Sequence, residues 1–181
     1  MFTALLLACG LSGAEAAVAG RSGAAELTIA SDGTSSAGIL LSPEAGPRET
    51  QAALDLAHYI ERMSGARVPV VRERKKIDAA LEATVTPLVI IGKEAIRARE
   101  NLRSELASVI KKKPHLRTDG IVLRREGNRV FLAGNNDPSH YFAVAELLRR
   151  WGCRWYLPTD FGECIPEEPE LKIGELSHTY S

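Results

Sequence analysis

Residues 86–92, with the sequence TPLVIIG, constrain the fold of this chain most strongly, because they form a short and almost wholly apolar run. A strand with one side in solvent alternates apolar and polar residues, whereas a strand covered on both faces does not. We therefore expect residues 86–92 to form an inner strand of a sheet that other elements cover on both sides. A layered α/β domain meets that requirement.

The segment after Gly46 predicts an amphipathic helix. Pro47 suits its first turn, and Gly65 suits a left-handed cap at its end. The residues expected to face the core recur at helical spacing and are Ala53, Leu56, Ala57, Ile60 and Met63.

Two further helices are expected downstream. Residues 94–112 form the second, which Pro114 ends. Asp137 is the expected N-cap of the third, with Pro138 as its first helical residue and Gly152 at its end.

The remaining periodic segments predict strands. They are residues 26–30, 37–42, 67–71, 121–125, 129–134, 153–158 and 171–173. Pro69 places its strand near a sheet edge, and the EGN turn joins two strands into a hairpin. The expected fold is therefore α/β (α+β), a mixed sheet with about three packed helices.

Composition argues for an ordinary globular domain. Apolar residues make up 45% of the 181-residue chain and charged residues 25%, and 23 basic side chains balance 23 acidic ones. A net charge of zero gives no long-range attraction for nucleic acid or acidic membranes. We expect no nucleic-acid partner, and the basic runs at 72–76 and 111–113 are interpreted as solvated surface.

The N-terminal residues predict export. An apolar run is followed by small residues, with AEA at 14–16 as a cleavage site, so residues 1–25 are interpreted as a signal peptide and leader. The run LLAC ending at Cys9 also resembles a lipobox, which leaves lipid anchoring as an alternative. We expect a secreted or periplasmic protein without a transmembrane segment, because no apolar run is long enough to span a bilayer.

Cys153 and Cys164 allow either a disulfide or two free buried thiols. Arg154 adjoins Cys153, but no histidine spacing supplies a base, so a structural cysteine is favoured over a nucleophile. The chain has no C-x-x-C and no H-E-x-x-H motif. We expect no metal and no cofactor.

Two further patterns resemble ligand or catalytic sites in part. Residues 134–140, GNNDPSH, precede a helix but lack a phosphate-loop pattern, and Asp137 puts a negative charge where a phosphate would lie. The densest acidic cluster, Glu167, Glu168 and Glu170, lies in a proline-rich loop and offers no arranged pair for glycoside hydrolysis. We expect no catalytic residue.

Aromatic side chains suit stacking on sugar rings, so Trp151, Trp155 and Tyr156 are candidates for contact with a carbohydrate, and Trp155 and Tyr156 are adjacent in a predicted strand. In a strand these neighbours point to opposite faces, and at least one of them should lie in the core. The segment GCRWYLP is thus interpreted as a helix cap followed by a strand that buries aromatics.

Four segments together resemble a known family. They read AALDLAHYIERMSGARVPVV, PLVIIGKEA, TDGIVLRREGNRVFLAGNN and HYFAVAELLRRWGCRWYLP. In this order they resemble the N-terminal α/β domain of alpha-glucuronidases. Related domains precede the barrel in beta-N-acetylhexosaminidases and in large secreted bacterial proteins. The resemblance covers residues 26–173.

The resemblance implies a non-catalytic accessory domain at residues 26–175, with residues 176–181 beginning a linker or a barrel. A catalytic (β/α) barrel needs roughly 200 residues or more, so the expected partner lies outside these 181 residues. An exposed apolar docking patch is expected at the final strand and residues 157–165, with Arg154, Trp155 and Tyr156 as candidate contacts. The alternatives are a stand-alone carbohydrate-binding module, with polysaccharide as its partner, and a small independent hydrolase.

Overall fold

A six-stranded mixed sheet organises the computed structural model, which describes residues 25–109 and 119–180. The strands are β1 (Leu27–Ser31), β2 (Gly38–Leu40), β3 (Val70–Val71), β4 (Leu88–Ile91), β5 (Ile121–Glu126), β6 (Arg129–Gly134), β7 (Arg154–Trp155), β8 (Glu163–Cys164), β9 (Glu170–Ile173) and β10 (Ser177–Tyr180). The helices are α1 (Pro47–Ser64), α2 (Arg74–Glu82), α3 (Gly92–Ala98), α4 (Asn101–Val109) and α5 (Asp137–Arg150).

The strand order of the main sheet is β10-β5-β6-β4-β2-β3. Strands β3, β2, β4 and β6 run parallel, whereas β5 and β10 are antiparallel to their neighbours. Strand β4 lies inside the sheet, and all four of its residues are buried. The expected mixed sheet with an inner strand in residues 86–92 is confirmed.

Two apolar layers cover the sheet, one on each face. Val89 and Ile91 of β4 pack with α1, α5 and the two-stranded sheet β1-β9. Leu88 and Ile90 point the other way and pack with α2, α3 and α4. The alternation of side chains along β4 therefore explains why every residue of the strand is apolar.

The expected number of about three helices was too low, since the described residues form five. Helix α2 includes most of the basic run at 72–76, and Ile77 is its only buried residue. Ala80 and Leu81 pack partly buried beside Ile77 at i+3 and i+4, so the segment has a short apolar stripe that the sequence analysis overlooked among its charged residues.

The helix predicted at 94–112 is two helices in the structure. Arg99 takes an extended conformation between α3 and α4, and its guanidinium pairs with Glu126 at the end of β5. Because the residue that pairs with Arg99 is distant in sequence, no glycine or proline within 94–112 indicates the break between the two helices. The predicted end at Pro114 lies outside the described residues.

The predicted leader, its cleavage site and Cys9 also lie outside the described residues. Within 25–109 and 119–180, no helix combines the length and apolar character that crossing a membrane requires.

Candidate functional site

The carboxyl ends of the parallel strands β2, β4 and β6 meet at one edge of the sheet, and α1, α3 and α5 begin there. The connection from β2 to β3 runs through α1 on one face of the sheet. The connection from β4 to β5 runs through α3 and α4 on the other face. A reversal of this kind between neighbouring strands opens a crevice where α/β proteins commonly bind ligands. This strand-end edge is therefore the first candidate site.

The side chain of Glu49 fills that crevice. Glu49 is fully buried, and its carboxylate accepts hydrogen bonds from the backbone N–H of Lys93 at 2.7 Å and of Gly46 at 3.3 Å. Gly92 has a φ of +60°, and a Cβ built there would lie 2.1 Å from Glu49 Oε1. Burial raises the pKa of Glu49. The chain thus places its own carboxylate where an anionic ligand would otherwise bind.

Asp137 caps α1 rather than the helix in which it lies. Its two carboxylate oxygens accept hydrogen bonds from the backbone N–H groups of Arg48 at 3.1 Å and Glu49 at 3.0 Å. The N-cap of α5 is Asn136, whose side-chain oxygen accepts from the N–H of Ser139 at 2.8 Å. The predictions of Asp137 as N-cap and Pro138 as first helical residue were therefore wrong by one position, because an unforeseen partner helix uses the aspartate.

His140 of α5 lies at the same strand-end edge. It is buried, and its Nδ1 accepts a hydrogen bond from the N–H of Gly134 at 2.9 Å. Burial lowers the pKa of His140 to about 4, so the imidazole is neutral at physiological pH. Gly134 admits no larger residue, since a Cβ there would lie 2.3 Å from the carbonyl carbon of Ser139. The hydrogen-bonding groups at the strand-end edge are thus bonded within the chain, and a groove of about 440 Å³ lined by Lys93, Asn136 and His140 lies beside them.

The two described cysteines are free, so the disulfide that the sequence allowed is not formed. Cys153 is buried with its Sγ 3.7 Å from Met63 Sδ, whereas Cys164 is exposed on β8. Burial raises the pKa of the Cys153 thiol, which keeps it protonated and weakly reactive. Within the described ranges, no three His, Cys, Asp or Glu side chains cluster in a way that could hold a metal ion.

A second candidate site is an exposed apolar surface beside α5, which we call the apolar belt. It consists of Phe142 (39% exposed), Trp155 (41%), Tyr156 (74%), Leu157 (55%), Phe161 (94%) and Tyr180 (38%). Phe142, Trp155 and Tyr180 line one shallow groove of about 460 Å³. Tyr156, Leu157 and Phe161 extend from the same hairpin as Trp155, in a loop that the Tyr156 N–H closes onto the Gly162 carbonyl at 2.8 Å.

Trp155 is the anchored member of the belt. Its indole Nε1 donates to the Tyr59 hydroxyl at 2.8 Å, and that hydroxyl donates to Glu163 at 2.6 Å. The rings of Tyr59 and Trp155 meet edge to face with centroids 5.5 Å apart. Burial and the Glu163 carboxylate raise the pKa of Tyr59 to about 12, so its hydroxyl remains a donor.

The prediction that Trp155 or Tyr156 lies in the core was wrong, because both are exposed. Strand β7 contains only two residues before the chain turns into the loop, so strand alternation does not extend to Tyr156. Trp151 instead packs against the core, and Cys153 lies inside it.

Arg154 has a local role. Its guanidinium donates to the carbonyls of Arg149 and Cys153, each at 2.7 Å. It thereby adds a donor to the Arg149 carbonyl in the last turn of α5, which also accepts from the Gly152 N–H at 3.1 Å.

The sequence analysis did not predict four of the belt residues individually, namely Phe142, Leu157, Phe161 and Tyr180. Leu157 and Phe161 lie within residues 157–165, where an exposed patch was expected. The other expected position, the predicted final strand at 171–173, is part of β9, and its apolar residues Leu171 and Ile173 are buried. Tyr180 lies in β10, a strand that the sequence analysis did not predict.

The fold defines a class, a mixed α/β domain with helices on both faces of one sheet. No known family profile matches the chain, and no curated protein matches it. Among solved structures it is similar to part of a family GH115 4-O-methyl-alpha-glucuronidase with specificity for decorated arabinogalactans. The two share 15% identity with a TM-score of 0.59.

That similarity covers 86% of this chain but 18% of the alpha-glucuronidase, so the chain spans about a fifth of that enzyme's length. At 15% identity the likeness shows a shared fold. It supports the resemblance to alpha-glucuronidases at the level of fold.

Proposed function

We propose that this chain is a non-catalytic accessory domain of a secreted glycoside hydrolase, and that its apolar belt packs against the catalytic domain. The observation that carries the proposal is the belt itself, in which Tyr156 and Phe161 are 74% and 94% exposed. Large apolar side chains exposed together in one loop, as Tyr156, Leu157 and Phe161 are, are typical of interaction sites. The structural similarity to part of an alpha-glucuronidase supports the enzymatic context.

The place of Tyr180 favours a partner in the same polypeptide. Tyr180 lies in the last described strand and lines the belt groove together with Phe142 and Trp155. Polypeptide that continued beyond this strand would begin at the belt. We propose that a catalytic (β/α) barrel, joined through such a continuation, covers the belt.

The side chains at the two candidate sites support a role in packing against another domain. At the strand-end edge, the carboxylates of Glu49 and Asp137 are engaged by backbone N–H groups of helices. In the belt, Phe142, Leu157 and Phe161 offer apolar area, and Glu146, Arg149 and Arg154 line the groove beside Phe142. Export to a secreted or periplasmic location, through a signal peptide in residues 1–25 or a lipid on Cys9, belongs to the same proposal.

An immunoblot of the source cells, with an antibody raised against residues 26–175, tests whether the domain occurs in a larger protein. We expect a band far above the 19.6 kDa of this chain. A single band near 19.6 kDa would contradict a partner in the same polypeptide and would make carbohydrate binding the leading hypothesis.

Hydroxyl-radical footprinting tests the docking surface. The native protein and the 181-residue chain are oxidised in parallel, and modification of Tyr156 and Phe161 is measured by mass spectrometry. We expect both to be protected in the native protein. Val85 (82% exposed) and Leu54 (52%) lie outside the belt and serve as matched controls that should react equally in both samples. Equal reactivity of Tyr156 and Phe161 in the two samples would overturn the docking proposal.

A further inference from the structure

A second and smaller groove adjoins the belt between α1 and α5. It encloses about 230 Å³ and is lined by Asp55, Tyr141, Val144, Ala145, Leu148 and Trp155. Val144 and Leu148 are buried and form an apolar floor. Trp155 and Ala145 also line the belt groove, so the indole separates the two spaces.

Asp55 provides the groove with an uncompensated negative charge. Its carboxylate accepts hydrogen bonds from the Gln51 amide at 2.6 Å and from the Tyr141 hydroxyl at 2.8 Å. Both donors are neutral, and within the described residues no lysine, arginine or histidine forms a salt bridge with Asp55. Arg48 lines a neighbouring groove that shares Tyr141.

The hydrogen-bond donors around the groove are already engaged. The Trp155 indole N–H donates to Tyr59, and the Tyr141 hydroxyl donates to Asp55. A sugar would present hydroxyl oxygens that need donors as well as acceptors, and the groove offers it one carboxylate. A cationic group needs only acceptors and aromatic faces, and both are present.

We infer that this groove receives an arginine side chain of the domain's partner, with the guanidinium against the rings of Trp155 and Tyr141 and paired with Asp55. A guanidinium is planar and weakly hydrated, so it suits an aromatic face and a carboxylate at once. Trp, Tyr and Arg are also the residues that most often dominate binding at interfaces. The inference rests on the proposed function, since it names the contact that anchors the docking.

The chain carries an internal reporter for this contact. It contains two tryptophans, Trp151 and Trp155. The Trp151 indole donates to the Lys172 carbonyl at 3.0 Å and does not line the groove. In a ¹⁵N-labelled sample the two indole N–H signals therefore distinguish binding in the groove from a general solvent effect.

The experiment titrates the 181-residue chain with propylguanidinium, and with neutral propylurea as the matched control. We expect a saturable shift of the Trp155 signal, an unmoved Trp151 signal, and a midpoint in the millimolar range typical of so small a ligand. Asp55→Asn should weaken binding about tenfold, because it removes the charge and keeps the shape. Tyr141→Phe keeps the ring and should bind as well as the parent chain.

Equal shifts with propylguanidinium and propylurea, or unchanged binding by Asp55→Asn, would overturn the inference. So would a saturable Trp155 shift that only oligosaccharides produce. Should Asp55→Asn fail to give a dispersed spectrum, Tyr141→Phe and the propylurea control still decide the outcome. Footprinting of Tyr156 and Phe161 tests the proposed docking separately, so a failure of the groove and a failure of the docking are distinguishable.

Discussion

The strand-end edge and the apolar belt differ in how completely the chain satisfies their surface groups. At the strand-end edge, helix N-termini that would attract an anion are bonded to Glu49, Asp137 and Asn136 of the same chain. At the belt, Tyr156 and Phe161 are left with little contact. The usual ligand position of an α/β sheet is internally occupied, and a surface that the fold class does not specify is left uncovered.

This difference distinguishes the residues that stabilise the fold from the residues that a partner would contact. Groups that the chain satisfies itself contribute to its own stability, so their removal should destabilise it. Groups that remain exposed contribute nothing measurable to the folded chain, so their removal should be silent until a partner is present. The predictions below follow that division from the largest expected effect to the smallest.

Gly134→Ala should have the largest effect. A Cβ at this position would lie 2.3 Å from the carbonyl carbon and the Cβ of Ser139, so the backbone of β6 or α5 has to move. We expect a loss of at least about 4 kcal/mol in the free energy of unfolding, measured by urea denaturation. Gly174→Ala is the control, since a Cβ there would meet nothing within 4 Å. Equal stability of the two variants would show that the strand-end edge is loosely packed.

Lowering the pH should destabilise the edge through His140. The pKa of the imidazole is about 4 when folded and 6.5 in the unfolded reference, so between these values the unfolded chain binds more protons. Stability is therefore lost as the pH falls from 6.5 to 4, by roughly 3 kcal/mol in all. Protonation of Nδ1 would also break the bond from the Gly134 N–H.

Equilibrium denaturation at several pH values checks this dependence. His140→Asn is the matched variant, because its side-chain oxygen can accept the same backbone hydrogen bond and does not titrate. The difference in stability between parent and variant should vary with pH in this window. Glu49, whose pKa is raised by burial, acts in the opposite direction but is present in both proteins. A constant difference across pH 4 to 6.5 would contradict the assignment.

These edge contacts also show how far the sequence could predict the structure. Helix α1 and the β5-β6 hairpin were predictable because Pro47, the stripe from Ala53 to Met63 and the EGN turn are local signals. The roles of Asp137 and Glu49 were not, because the N–H groups they bind at Glu49 and Lys93 are 88 and 44 residues away along the chain. Only the fold brings these partners together.

The belt was predictable in part. Exposed apolar surface in residues 157–165 was expected from the resemblance to a domain that packs beside a barrel. The prediction of a patch on the strand at 171–173 was wrong, because Leu171 and Ile173 are buried, and β10, which carries Tyr180, was not predicted. Phe142 was not foreseen, since a single aromatic on a helix gives no indication of which side the sheet leaves uncovered. The sequence likewise did not show that β7 ends at Trp155, so it could not show that Trp155 and Tyr156 are both exposed.

Glu49→Ala should cost about 2 kcal/mol, because it leaves the part-buried N–H of Lys93 without its acceptor. Glu49→Gln retains one acceptor oxygen and should lose less. Formate should raise the denaturation midpoint of Glu49→Ala more than that of the parent chain, since a small carboxylate can replace the missing one at the crevice. Equal effects of formate on both proteins would contradict the view that Glu49 occupies a ligand position.

Phe161→Ser should have the smallest effect on the isolated chain. The side chain is 94% exposed, so its removal should change the free energy of unfolding by less than about 0.5 kcal/mol. Trp155→Ala should cost more, about 1 kcal/mol, because it removes the hydrogen bond to Tyr59 and the edge-to-face contact. Thermal denaturation of both variants checks the order.

The same substitution becomes informative in the complete protein. If the belt is an interface, Phe161→Ser in the native polypeptide should increase radical oxidation of Tyr156, because water then reaches a surface that the partner had covered. Val85 should show no change, since it is exposed outside the belt. A variant that is silent in the chain and also silent in the native protein would mean that the exposed phenylalanine has no partner. The difference between the strand-end edge and the belt would then reflect only how the chain folds, and the belt would not be a docking surface.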